Sequence, residues 1–408
     1  MFARDRERLV GAHVIEAATR PRTARLVLSY VPFALVIGVL AALVPPKGND
    51  FFQFWYAGHL VATGQSPYDQ AQWAAGASYG DLTGNFMRNC AAPDAPECLW
   101  LYPPWTGWLF APFGFLDPNV GVVAIAILTL TALAAGVALA VHTFNGHLGP
   151  PRSFAMAAFA ASAPVERAAV SGHFLGLLLI GLVLVYDGLR ERRAMPFVAG
   201  ALLLALKPHV VLLLPLLLVG RMIQMRAWRL LAIGTAAILA LALVGFAADP
   251  RALPAIAGGT VAKLGCCIGE NKSLLVQHTA GGAVGATLLL FVAAVATWVA
   301  VRAAQPQRRA ASVVTAGAAL SLVAAPYLHS YDGVLLIPGV LLAAQVAGRV
   351  AGLAIVCGFV VASWGSYVLE LAGSSIAYSG ILPVATLLAL AVAQSIRGTR
   401  RTITTPAA

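Results

Sequence analysis

Three polar groups interrupt an otherwise apolar chain, and each carries side chains able to do chemistry. Asn49-Asp50 follows a long apolar run directly, Lys207-Pro208-His209 splits another, and His329-Ser330-Tyr331-Asp332 separates two short ones. A carboxylate can take the proton from an attacking hydroxyl, and cations can steady a departing phosphate. Asp50 is the candidate general base, since an ordinary aspartate is already ionised at neutral pH. Lys207 and His329 are the first candidates to meet an anionic leaving group, with His209 and Lys272 next. Gln53 lies three residues beyond Asp50, on the same face of any helix formed there.

Each candidate also has a plainer reading. Asp50 can be a carboxylate favoured by a helix dipole. Lys207 can snorkel to a surface, and His329 can be a hydrogen-bonded loop histidine. Against this, a lysine flanked by apolar residues in a broken helix is costly and usually functional. Asp332 suits orienting His329 or capping the next helix better than a second base role. Lys272 reads almost equally well as a solvated loop charge. Tyr102-Pro103-Pro104-Trp105 suits fixing loop geometry and lining a cavity, and Glu166-Arg167 suits a buried pair anchoring a half-inserted helix.

The elements that must position these groups follow from composition. Of 408 residues, 60% are hydrophobic and 11% charged, where soluble domains carry about 25% charged. Such a chain is soluble only in lipid. A helix needs about 20 apolar residues to cross the hydrocarbon, and full-length candidates lie at 26–45, 119–142, 171–189, 228–247, 279–301, 350–369 and 379–396. Shorter runs lie at 104–116, 153–164, 196–206, 208–220, 310–325 and 333–348. The fold predicted is an all-α polytopic membrane protein with about 11–13 membrane helices, several short or re-entrant and lining a cavity. One membrane domain, 26–396, is expected between cytoplasmic tails 1–25 and 397–408.

The net charge of +11 does not point to nucleic acid, because of where the charges sit. Arginines gather in the N-terminal tail and in short segments around Arg190, Arg221, Arg302 and Arg397, the positive-inside pattern. The loop 46–103 has Lys47 and Arg88 against Asp50, Asp69, Asp81, Asp94 and Glu97, two minus five, net −3, and is expected outside. Both termini are then cytoplasmic, in a bacterial inner membrane, and the three polar groups share the outer face. Between 104 and 171 the crossings do not add up unless 104–116 or 153–164 is half-inserted. The loop's Phe51 to Gly64 reads as a helix at the interface, with Phe51, Phe54 and Trp55 facing lipid or core, Gly64 as its cap and Ser66 to Asp69 as a turn. Cys90 and Cys98 are equally readable as a disulfide or as two thiols, and Cys357 as packing inside a span.

With these placements, the chain resembles glycosyltransferase family 87, of the membrane-embedded GT-C class. The resemblance is carried by NDFFQFWYAGHLVATGQSPYD (49–69), LYPPWTGWLFAPFGFLD (101–117), SGHFLGLLLIGLVL (171–184), ALKPHVVLLLPLLL (205–218), ENKSLLVQ (270–277) and APYLHSYDGVLLIPGVLL (325–342). It implies a GT-C fold and an inverting transferase that takes a sugar, with mannose expected, from a polyprenyl phosphate. The acceptor would be a lipid-linked or cell-envelope glycan at the periplasmic face, and the first-loop aspartate, here Asp50, the base. His173 departs from the family, which more often has glutamine after the glycine, so its place among the substrate-binding candidates rests on position alone.

No metal or cofactor is expected: Asp50 lacks a carboxylate two residues away, and no His/Cys set has ligand spacing. Without a phosphate-cradling glycine motif, a nucleotide-sugar donor is disfavoured. The rival classes are a transporter or lipid flippase, which needs polar residues along a path to both faces, and a scaffold subunit without activity. No internal repeat of the two-halves transporter type is visible.

Overall fold

The computed structural model describes residues 50–83, 100–266, 283–326, 328–371 and 378–404. The expected first span 26–45, Cys90, Cys98 and Lys272 lie outside them. The described chain is all-α, and the protein is a multi-pass membrane protein. Four of its helical segments are long and apolar enough to cross a bilayer. They are α4 (Pro118–Phe144), α10 (Trp228–Ala248), α15 (Arg349–Leu371) and the compound segment Ser330–Ala347, a 3₁₀ turn running into α14 (Ile337–Ala347). Ser330–Ala347 is 72% buried in protein while α10 is only 17% buried, so α10 lies at the periphery and the segment beginning at Ser330 is central.

The central segment packs against α4, α7 (Leu175–Glu191), α13 (Arg309–Val323), α15 and the helix Tyr378–Thr404, while α8 (Ala194–Leu204) lies against α7 and α9 (Leu214–Gln224) against α13. Lipid offers no hydrophobic drive between helices, so close backbone approach through small residues carries the packing. The buried face of α13 is rich in alanine, serine and threonine. On α7, Gly176 meets the α4 backbone, and Gly181 and Gly188 meet α8. A methyl on Gly176 would lie 2.1 Å from the Leu133 amide nitrogen, and backbone cannot move aside. Gly176→Ala is therefore expected to destabilise the protein by about 1–3 kcal/mol. Gly220→Ala, with nothing within 4 Å of the added methyl, should leave thermal unfolding in detergent unchanged or slightly raised.

The crossing count between 104 and 171 now closes. Gly176 of α7 meets α4 at Leu133, and Tyr186 meets Phe144 with ring centroids 4.9 Å apart. Numbers rise together on both helices, so α4 and α7 run parallel. The return between them is made by α5 (Arg152–Ala160) and α6 (Ala163–Ser171), one span broken at Ala161-Ser162. Pro164 sits in the first turn of α6, where a missing N–H costs nothing. At the break, Trp364 Nε1 donates to the Ala161 carbonyl (2.7 Å), and the Ala163 N–H donates to Ser363 Oγ (3.3 Å), both from α15.

The short run after residue 103 need not cross. As α3 (Pro104–Gly114) it lies antiparallel against α1 (Asp50–Ala62), with Gly107 against Val61 and Phe110 against Gly58. The choice between lipid and core for α1 falls to core, since Phe51, Phe52, Phe54, Trp55 and Tyr56 are all buried in protein. Gly64, at φ +73°, ends α1: its N–H bonds to Val61 while that of Gln65 bonds to Leu60, a Schellman cap. Cys357, expected to pack within its span, lies on the outward face of α15.

Candidate active site

Pro208 cannot continue α8, and the chain turns at Lys207 (φ −140°, ψ 70°) into a short 3₁₀ turn, Pro208–Val211, before α9. A broken helix within a membrane leaves backbone groups that water cannot reach. Trp105 Nε1 and Thr106 Oγ1, from α3, donate to the carbonyls of Ala205 and Leu206 at 2.8 and 3.0 Å. From α13, Ser321 Oγ accepts the N–H groups of Leu213 and Leu214 at 3.0 and 2.9 Å. Two separate elements thus hold the break open around Lys207.

Lys207 does not snorkel. It is 1% exposed, and its Nζ donates to Asp332 Oδ1 at 2.6 Å across 125 residues of sequence. Asp332 Oδ2 accepts from the His329 N–H at 2.9 Å, while the His329 side chain accepts from the Asp332 N–H. One carboxylate therefore both caps the 3₁₀ turn Ser330–Leu336 and neutralises the lysine. Lys207 Nζ also lies 4.8 Å from the centre of the Tyr331 ring, a cation–π distance. Tyr331 in turn stacks on His329 at 4.9 Å and contacts the His173 ring at 4.7 Å.

His173 is fully buried between α6 and α7, with Nε2 2.9 Å from the Tyr102 hydroxyl. Tyr331 thus links the His173 ring to Lys207 and His329, and His209 follows Lys207 by two residues, so the four lie at one end of the helices. Tyr102 is held by its own carbonyl, which accepts from the Tyr68 hydroxyl. Burial pushes Tyr68 well above the ordinary phenol range, so it remains a donor there. Around the buried floor of Lys207, Asp332 and His173, the side chains of Tyr102, His209, His329 and Tyr331 are half-exposed.

Asp50 opens α1 and is half-exposed, and Gln53 is buried one turn later. The next residue, Phe51, lays its ring on Gly172, immediately before His173, and Phe54 meets the His173 ring edge-on at 5.6 Å. Gly172 is left-handed (φ +79°), and a methyl on it would lie 2.4 Å from the Phe51 ring. Gly172→Ala should move the head of α1. Because a misplacement of about 1 Å can cost 10²-fold, transfer is expected to fall on that order in an initial-rate assay.

The structure thus brings Lys207, His329, His209 and His173 together and sets α1, with Asp50 and Gln53, against them. Tyr331 is the residue that sequence reading passed over: it touches two of the histidines and the lysine. Glu166 and Arg167 do not form the expected pair. Arg167 stacks on Tyr367 (4.9 Å), and Glu166 faces a cavity.

The family model of glycosyltransferase family 87 matches residues 100–326, more than half of the chain. The chain belongs to glycosyltransferase family 87. As a family 87 protein it is a membrane glycosyltransferase. The matched residues include Tyr102, His173, Lys207 and His209 and stop three short of His329, while Asp50 precedes them. No curated protein and no solved structure matches the chain.

Proposed function

We propose that this family 87 enzyme is a GT-C transferase that moves a sugar, with mannose as first candidate, from a polyprenyl phosphate to a lipid-linked or envelope glycan. The acceptor hydroxyl oxygen attacks the anomeric carbon, and its proton passes to the Asp50 carboxylate. The bond from that carbon to the phosphate oxygen breaks, with its electron pair leaving on the phosphate. A single displacement of this kind inverts the anomeric centre.

One observation carries the reading: the head of α1, bearing Asp50, packs against His173 in the cluster around the Lys207–Asp332 pair. Because Asp332 already neutralises Lys207, His329 and His209 on the rim are the groups to meet the phosphate. Lys207 acts beneath them, through Asp332 and Tyr331. Lys272 remains a candidate for the same role, outside the described residues.

A cavity of about 350 Å³ adds support. It is lined by Leu204, Ala205, Pro208, Leu218, Ile238 and other apolar residues, and it flanks Lys207. A polyprenyl chain entering sideways from the bilayer would meet an apolar wall there and exchange lipid contacts for protein contacts without leaving an apolar medium. The flippase alternative needs polar residues leading to both ends. Beyond Lys207 the described buried core is Val210, Leu214, Val314 and Leu322 with only uncharged polar groups such as Ser312, Thr315 and Gln394 among them, and this lack of further buried charge favours the enzyme. We place the site at the periplasmic face of a bacterial inner membrane, with both termini in the cytoplasm. Proton NMR of the product from a β-linked polyprenyl-phosphate sugar tests the mechanism: an α-linkage is expected, and a β-linkage would rule out single displacement with Asp50 as base.

A further inference from the structure

A second cavity, of about 550 Å³, lies between α4, α5 and α6. Its wall is apolar, formed by Leu133, Val137, Met156, Val165 and Val170 among others, and among the described residues Glu166 is the one charged side chain in its lining. From Ser153 to Val170 the lining follows α5 and α6 for roughly 25 Å at 1.5 Å per residue, close to the span of the hydrocarbon core. One end of the groove, at Val170, lies two residues from Gly172, where the Phe51 ring places the head of α1. The groove therefore leads from the membrane toward Asp50.

This cavity and the one beside Lys207 stand on opposite flanks of α7. Residues Gly176 and Leu179 of α7 face α4, whereas Gly181, Val185 and Gly188 face α8 and the Lys207 side. At 100° per residue these two sets point in opposite directions. Two long chains could thus enter separately and meet at the polar end.

The charge says which chain belongs here. Among the described residues, the Glu166 carboxylate makes no hydrogen bond or ion pair, since its neighbour Arg167 is turned onto Tyr367. Ionisable side chains at membrane depth are rare and mark substrate paths. A carboxylate in this lining repels a lipid phosphate and welcomes a hydroxyl or ammonium donor. Glu166 sits six residues before Gly172, about 9 Å along the helix axis, the depth of a linker just below a sugar held at Asp50.

We propose that the groove between α4, α5 and α6 holds the hydrocarbon chain of a lipid-anchored acceptor, with Glu166 accepting a hydrogen bond from its linker. This rests on the transferase reading above and assigns that enzyme's second substrate to a glycolipid without a phosphate at this depth.

The test uses two arms on the purified full-length protein, with Ala157→Trp, which fills the outward rim of the groove, and Glu166→Gln. In the first arm, hexadecyl mannoside carrying a mid-chain diazirine is photo-cross-linked and the adducts are mapped by mass spectrometry. Adducts on α4, α5 and α6 that fall about tenfold in Ala157→Trp are expected. Adducts elsewhere, or unaffected by the tryptophan, would overturn the groove.

In the second arm, transfer from polyprenyl-phosphate mannose to mannosylsphingosine, whose ammonium and hydroxyl groups lie in the linker just below the sugar, is compared with transfer to ethyl mannoside. The ratio of kcat/KM, long chain over short, should drop about tenfold in each variant, the scale of one charge-assisted hydrogen bond for Glu166→Gln. An unchanged ratio would make the groove a bilayer-lipid site and overturn the acceptor assignment. Cross-linking needs no turnover. A wild type that labels in the groove but transfers to neither glycoside would therefore count against the donor reading and for the groove.

Discussion

Asp50→Asn is expected to lower transfer by about 10²–10⁴-fold, the range of a lost general base, while leaving the fold intact. Asparagine keeps the shape of the side chain and is as well tolerated as aspartate at a helix N-terminus. The buried contacts of α1 come from Phe51, Phe52, Phe54 and Trp55, none of which the substitution touches. Initial rates on the purified variant, with its unfolding midpoint measured beside the wild type, separate the two effects. A rate equal to the wild type would end the base assignment. A large drop in the midpoint would show instead that Asp50 holds the helix in place.

Asp332→Ala is expected to be the most damaging single change to stability. It strands the Lys207 ammonium, 1% exposed, without its 2.6 Å partner. Breaking a buried pair by removing one member costs about 3–5 kcal/mol, because the remaining charge stays desolvated. Replacing both charges removes that penalty, so Lys207→Met with Asp332→Val should regain most of the stability. The double variant still lacks the contacts that fix Tyr331 and the acceptor for the His329 N–H. Its transfer rate should therefore stay low despite a near-normal unfolding midpoint in detergent. A double variant with full activity would reduce the pair to packing. An Asp332→Ala protein as stable as the wild type would mean that water reaches Lys207.

How much of this was legible in the sequence differs by element. Span lengths reported α4, α10 and α15 within a few residues, because hydropathy over about 20 residues reads directly on bilayer thickness. The break at Lys207 was legible from Pro208, which no helix interior accommodates without a break or kink. Of the two roles expected for Asp332, orienting His329 or capping the next helix, the cap is the one found, and a reciprocal cap three residues apart is a local pattern. Its ion pair with Lys207 was not legible, being a contact between residues 125 apart.

The other surprises have the same origin. The division of 152–171 into two short helices depends on Trp364 and Ser363 taking up the freed backbone groups. The burial of α1 depends on α3 lying across it at Gly58 and Gly114. Tyr331 drew no role from the sequence, because only the fold places His173, His329 and Lys207 around it. A single sequence carries the preference of each segment, but not the partner that completes it.

The most direct test of the central claim is donor choice by the purified protein in detergent, where no second compartment exists and flipping cannot be mistaken for transfer. A panel of radiolabelled polyprenyl-phosphate sugars is offered with membrane lipid extract as acceptor, beside the matching nucleotide sugars. Label is expected to move from one polyprenyl-phosphate sugar to an extractable glycan product, and from no nucleotide sugar. Transfer from a nucleotide sugar, or from none of the lipid-linked donors, would contradict it.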